Sequence, residues 1–232
     1  MKKLFTIIIV LVIIFVGMII YKKNLIKNNN ANISVQSVEK IETYITKIYM
    51  WKEVTNEALP TFENINNADE LWLWEVVRKN LEDYELTYEQ IDEKTTELFG
   101  GSLTKQFPKE GSEYLKYNEE TNTYIQVGMG LDELEDNFVL NKIEKTNDGY
   151  EVEIIEYLED YSGVNNEIEN SGEEIKIIIR NTNDEEIGQV SVNEEQTAKD
   201  FVKNNIDKFT KKKLKIKEEN EKLYVQEVIE EE

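Results

Sequence analysis

The chain contains no cysteine and no histidine. Without cysteine there can be no disulfide, no thiol nucleophile and no thiolate metal site. Without histidine it lacks the commonest general base, the commonest zinc ligand and every Ser-His pairing. Proline occurs only at positions 60 and 108, so no proline-rich linker divides the chain. Basic residues are also scarce, 27 Lys+Arg against 48 Asp+Glu. Five of those lysines fall in the first 27 residues, which hold no acid. The remainder carries 22 basic and 48 acidic residues, a net charge of −26. Such a body repels nucleic acid and suits a cationic partner.

What the first 27 residues do hold is apolar. Leu4 to Tyr21 is an unbroken run whose only polar side chains are Thr6 and the closing tyrosine. As a helix it reaches about 27 Å, close to the thickness of a hydrocarbon core. A cleavable leader ends in small residues at −3 and −1, whereas here Phe15 precedes Gly17. Residues 1–27 therefore read as an uncleaved membrane anchor, with Leu4, Ile7, Leu11, Ile14 and Ile19 among its lipid-facing side chains. Lysines flank both ends nearly equally, so charge alone orients it weakly. A three-residue N-terminal tail before a long polar domain places the bulk of the chain outside a cell membrane crossed once. Residues 28–34 form a short polar tether, and 35–232 a single acidic domain.

Helical spacing opens that domain. Val38, Ile41, Ile45 and Ile48 recur at three and four over 35–54, a core helix rather than a coiled-coil seam, since only two heptads hold. Asp69 caps a helix over 70–81 with Leu71, Trp72, Leu73, Trp74, Val76 and Val77 around most of its circumference. Trp72 and Trp74 are turned about 200° from each other on a helix. Either the helix is buried on several sides or one face meets a partner, so Trp72 and Trp74 are the candidate partner-binding residues. Thr87 and Gln90 match a capping box for a third helix, closed by Gly100–Gly101.

After Pro108 alternation takes over. Residues 113–117 and 124–128 read as one hairpin. Residues 138–160 read as another, turning at Asn147-Asp148-Gly149. Residues 174–180 and 186–192 form a third pair. Asn193, with Gln196 at N3, caps a helix over 194–209 carrying Ala198, Phe201, Val202, Ile206 and Phe209 inward. A last hairpin closes the chain. Helices at the N-terminal side of a mostly antiparallel sheet of hairpins make the fold α+β.

Chemistry is thinly signalled. Ser102-Leu103-Thr104-Lys105 matches S-x-x-K and Ser191-Val192-Asn193 a companion motif, but Gly100–Gly101 and Pro108 leave no helix to carry the pair, and Lys-Thr-Asn at 145 is out of order. Asn181, Asn183 and Glu185 occupy EF-hand positions, yet Glu186 stands where glycine is needed and Val192 where the bidentate acid is needed. The acidic loop with Glu159, Asp160, Glu167 and Glu169 reads as solvated. Tyr114, Tyr117, Tyr124, Tyr150 and Tyr157 lie in strands, where tyrosine is ordinary. No catalytic, cofactor-binding or metal-ligating residue is assigned, and oligomeric state stays open. The expected function is a non-catalytic extracytoplasmic domain of the bacterial cell envelope that binds a protein partner, a cationic wall protein by charge. The alternative is a carboxylate enzyme or a glycan-binding module acting on wall polymer.

Overall fold

A computed structural model describes residues 33–49, 59–112, 115–127, 134–162, 176–191 and 197–231. The anchor residues Leu4, Ile7, Leu11, Ile14 and Ile19 and nearly all of the tether lie outside the described residues. No helix among the described residues is long and apolar enough to cross a membrane.

The fold is α+β, with helices and antiparallel sheets. Helix α1, Val35–Ile48, starts where the Ser34 side chain accepts from the Ser37 amide at 3.1 Å. It buries Val38, Ile41, Tyr44, Ile45 and Ile48. The periodicity predicts a helix to 54, but the backbone turns extended at Tyr49. The reason is tertiary: the Tyr49 ring packs 5.1 Å from Phe138 and its hydroxyl reaches Glu156 Oε1 at 3.1 Å. Helix α2, Glu70–Lys79, is capped by Asp69, which accepts from the Trp72 amide at 2.8 Å. Asn80 closes it by donating to the Val76 carbonyl. Helix α3, Tyr88–Phe99, has both halves of the expected Thr87/Gln90 capping box. Gly100 ends it at φ +69°, with the Tyr224 ring where a Cβ would stand.

A small sheet follows the first helices. Strand β1, Glu85–Leu86, pairs with β3, Thr123–Gln126, which pairs with β2, Leu115–Asn118, all antiparallel. The β2–β3 hairpin matches the alternation. Strand β1 is only two residues long, too short for any periodicity to reveal.

The large sheet is built on β4, Leu134–Lys145, and β5, Gly149–Asp160. They form a long hairpin with a bulge between Leu140 and Lys142. The other edge of β5 is shared. Residues 149–156 pair with β8, Thr210–Glu219. Residues 158–160 pair with β6, Lys176–Arg180. Beyond these lie β9, Lys222–Glu231, beside β8, and β7, Glu186–Ser191, beside β6. The hydroxyls of Thr182 and Thr210 meet at 2.5 Å where the two hairpins join on β5. Asn220 and Glu221, both at positive φ, give the β8–β9 hairpin its tight primed turn.

Helix α4, Ala198–Asn204, is shorter than the expected 194–209. Thr197 caps it, and a 3-10 turn at Ile206–Lys208 carries the chain into β8. Asn193 and Gln196 lie outside the described residues. The apolar positions hold: Val202 and Phe209 are buried, with Ala198, Phe201 and Ile206 packed beside them.

Two apolar clusters result. The larger joins α1, α2, α3 and the small sheet to β8, β9 and one face of β5, through Tyr150, Val152 and Ile154. The smaller lies on the opposite face of β5, through Ile155 and Tyr157, under α4.

Candidate functional site

Both tryptophans of α2 are enclosed, Trp72 fully and Trp74 at 2% exposure. The Trp72 indole donates to the Ile48 carbonyl at 3.2 Å and lies between Phe62 and Phe99, at 5.6 and 5.7 Å. Trp74 faces the other way, edge-on to Phe107 at 5.1 Å, and Phe107 meets Tyr124 of the small sheet. The helix is thus sandwiched between α1 with the large sheet and the small sheet. Of the two readings of this helix, both tryptophan faces are core here. A partner-binding role for Trp72 and Trp74 has no exposed ring to act through in this structure. The Trp74 indole nitrogen has no hydrogen-bond acceptor among the described residues.

The structure also brings together buried charges that the sequence reading did not single out. Glu156 and Lys212 form an ion pair at 2.9 Å, with side chains 1% and 3% exposed. Tyr49 donates to Glu156, and Lys212 donates to the Leu59 carbonyl. One pair therefore contacts both Tyr49, at the end of α1, and Leu59. Parity offered a signal: Glu156 continues the inward face of Ile154, and Lys212 precedes inward Leu214 and Ile216. On α2, buried Glu75 pairs with Arg78 at 2.5 Å and accepts from Ser112. Asp160, which the sequence places in a solvated acidic loop, is instead buried at the end of β5 and pairs with Arg180 at 2.8 Å. Burial opposes the Asp160 charge, but hydrogen bonds from Ser162 and Arg180 outweigh it and hold the carboxyl below its usual range.

The remaining motif residues are occupied locally. The Lys105 ammonium donates to the Ala68 carbonyl at 3.1 Å, and the Ser102 carbonyl accepts from Asn66. Asn181 folds its side-chain oxygen onto the amides of Asn183 and Glu185, both at 3.0 Å. Glu159 accepts from Tyr157, Tyr161 and Asn137. Glu167, Glu169 and Tyr114 lie outside the described residues. Among the described residues no three acids group as a metal site would need. Tyr124, Tyr150 and Tyr157 are buried, which leaves Tyr117 alone of the described strand tyrosines with a substantially exposed ring.

Two surface grooves are formed by described residues. One, of about 430 Å³, lies between α1, the end of α3 and the start of β9. Lys40, Lys47 and Lys222 stand around it with Glu39 and Glu97, over Tyr44 and Leu98. Its charges are mutually engaged: Lys40 pairs with Glu218 at 2.5 Å, and Glu97 with Lys94 at 2.7 Å. The Tyr44 hydroxyl accepts from the Val225 amide and donates to the Leu98 carbonyl. Burial pushes it above the ordinary tyrosine range, so it stays protonated.

The second groove, of about 290 Å³, opens where α2 ends. Arg78, Leu81, Glu82, Tyr84, Gln126 and Val127 line it. Gln126 fixes its shape by donating to the carbonyls of Leu81 and Asp83, while its amide donates to the Tyr84 carbonyl. Tyr84 is 69% exposed and Val127 39%. Here apolar side chains do face solvent. Comparison of the chain with protein-family models, curated proteins and solved structures finds no match.

Proposed function

We propose that this chain is a membrane-anchored, non-catalytic extracytoplasmic domain that binds a protein partner in the bacterial cell envelope. The apolar run over 4–21 supplies the anchor, and the acidic body lies beyond it as a single-pass protein's outer part. The observation that carries the binding reading is the second groove: exposed Tyr84 and Val127 on a body of net charge −26. Among the described residues Tyr117 and Ile229 are the other exposed large apolar side chains, and Tyr84 and Val127 differ from them in lining one groove. An apolar patch left open on such a surface marks an interaction site. The charge suits a cationic partner, a basic wall protein being one.

The test is photo-crosslinking in the native membrane, with a crosslinking amino acid placed in turn at Tyr84, Tyr117, Lys222 and Ile229 of the full-length chain. The reading expects one discrete protein adduct, identified by mass spectrometry and rebuilt from purified components. Absence of a reproducible adduct at every position would overturn it.

A further inference from the structure

We infer that the groove bounded by Leu81, Tyr84 and Val127 receives a cationic segment of a partner protein, one that presents an apolar side chain between lysines or arginines. This rests on the partner-binding reading above and names its surface and its chemistry.

Three observations point to that occupant. The first is size. At about 290 Å³ the groove lies at the bottom of the range of small-molecule pockets, and it suits one or two inserted side chains. The second is charge. Glu82, Asp83 and Glu85 stand exposed around Tyr84, and none has a cationic partner among the described residues. Among the described residues the Asp83 carboxylate accepts from the Gln90 side-chain amide and the Glu85 carboxylate from the Thr123 hydroxyl, both neutral donors. Among the described lining residues the one cation, Arg78, is directed inward onto buried Glu75 at 2.5 Å. An incoming lysine or arginine thus meets the Glu82 carboxylate in the lining, with Asp83 and Glu85 flanking Tyr84 in sequence. A second copy of this chain meets the opposite: its own body carries net charge −26. The third is rigidity. The loop holding Tyr84 is tied to β3 by three hydrogen bonds from Gln126, so the groove is formed before the partner arrives.

The two contributions separate by experiment. The carboxylates provide a salt-dependent attraction, and Leu81, Tyr84 and Val127 provide a salt-insensitive apolar seat. The full-length protein is placed in nanodiscs of zwitterionic lipid, with empty nanodiscs as the blank. Three labelled peptides are titrated: lysine alternating with leucine, lysine alone at the same charge, and glutamate alternating with leucine. The expected result is that the lysine–leucine peptide binds about tenfold more tightly than lysine alone, because an apolar side chain is buried. Y84S should abolish that difference. The triple variant E82Q/D83N/E85Q should weaken both lysine peptides, whereas D92N/E93Q/E119Q, an equal charge change elsewhere on the surface, should leave them nearly unchanged.

The inference is overturned if the two triple variants weaken binding equally, since attraction would then belong to the whole body. It is also overturned if lysine alone binds as well as lysine–leucine, or if the glutamate–leucine peptide binds best. A partner captured in the membrane at Tyr117, Lys222 or Ile229, but not at Tyr84, would sink this inference and leave the broader reading standing.

Discussion

Glu156 and Lys212 meet at 2.9 Å inside the protein, two residues whose strands part company at that point. Glu156 is the last β5 residue paired with β8 before β5 turns to β6. Each member also contacts a residue outside the two strands, Glu156 accepting from Tyr49 and Lys212 donating to Leu59. Removing one charge leaves the other buried without its partner, at a cost of about 3–5 kcal/mol. E156Q and K212M should each lower the denaturation midpoint sharply in the detergent-solubilised full-length protein. The double variant E156L/K212M should recover much of the loss. Single variants with unchanged midpoints would show that the pair is not what joins these segments.

The two tryptophans of α2 should respond differently to the same substitution. Trp72 donates to the Ile48 carbonyl, so W72F loses a buried hydrogen bond, worth about 1 kcal/mol beyond any loss of packing. The Trp74 indole nitrogen is buried with no acceptor among the described residues. W74F removes that unsatisfied donor, which offsets part of the cavity it leaves. Denaturant titration should therefore rank W74F as the more stable variant. The reverse order would mean that the Trp74 nitrogen has an acceptor in solution.

Acid should destabilise the fold through particular carboxylates. Lys40 donates to Glu218 and holds its carboxyl below the usual range. Asp160 is held low as well, its hydrogen bonds from Ser162 and Arg180 outweighing the effect of burial. Each folded-state pKa lies below its unfolded value. Their contribution is therefore complete above the ordinary carboxylate range, about pH 4–4.5, and is lost as pH falls through the folded values. Stability measured from pH 6 downward should decline below that range. In D160N the decline should be shallower and should start from a lower plateau. An identical slope in D160N would exclude Asp160 as a contributor.

Gly149 opens β5 directly against β8. A Cβ there would stand 2.0 Å from the Ile216 carbonyl oxygen, and backbone cannot swing aside as a side chain can. G149A should cost about 3 kcal/mol or more by forcing the two strands apart. G101A, where nothing lies within 4 Å, is the control and should leave the midpoint nearly unchanged. Equal midpoints for the two variants would place the β5–β8 contact elsewhere.

Much of the architecture was written in local patterns. Asp69 and the Thr87/Gln90 box announced their helices because capping is a matter of residues within one turn. The hairpin at Asn147-Asp148-Gly149 was equally local. The end of α1 was not, because Tyr49 leaves the helix for contacts with Phe138 and Glu156, about a hundred residues away in sequence. The β8–β9 hairpin was legible from its alternation, although its turn residues Asn220 and Glu221 adopt positive φ without a glycine. The pair Trp72 and Trp74 was legible as a two-sided helix, but not what lay on its second side, because the small sheet that covers Trp74 includes a strand of two residues. The groove at Tyr84 left almost no pattern. Its walls come from a loop and from a strand end, and neither has periodicity.

The contact between Tyr44 and Val225 spans 181 positions of sequence, and that between Lys40 and Glu218 spans 178. Both tie α1 to the β8–β9 hairpin. A chain delivered from its N-terminus therefore presents α1 long before the strands that complete its surroundings exist. Until those strands arrive, the apolar stripe of Val38, Ile41, Ile45 and Ile48 has no sheet to lie on. Folding of the larger core is deferred until β8 and β9 have emerged, and the interval before that is when an unassembled α1 would need shielding.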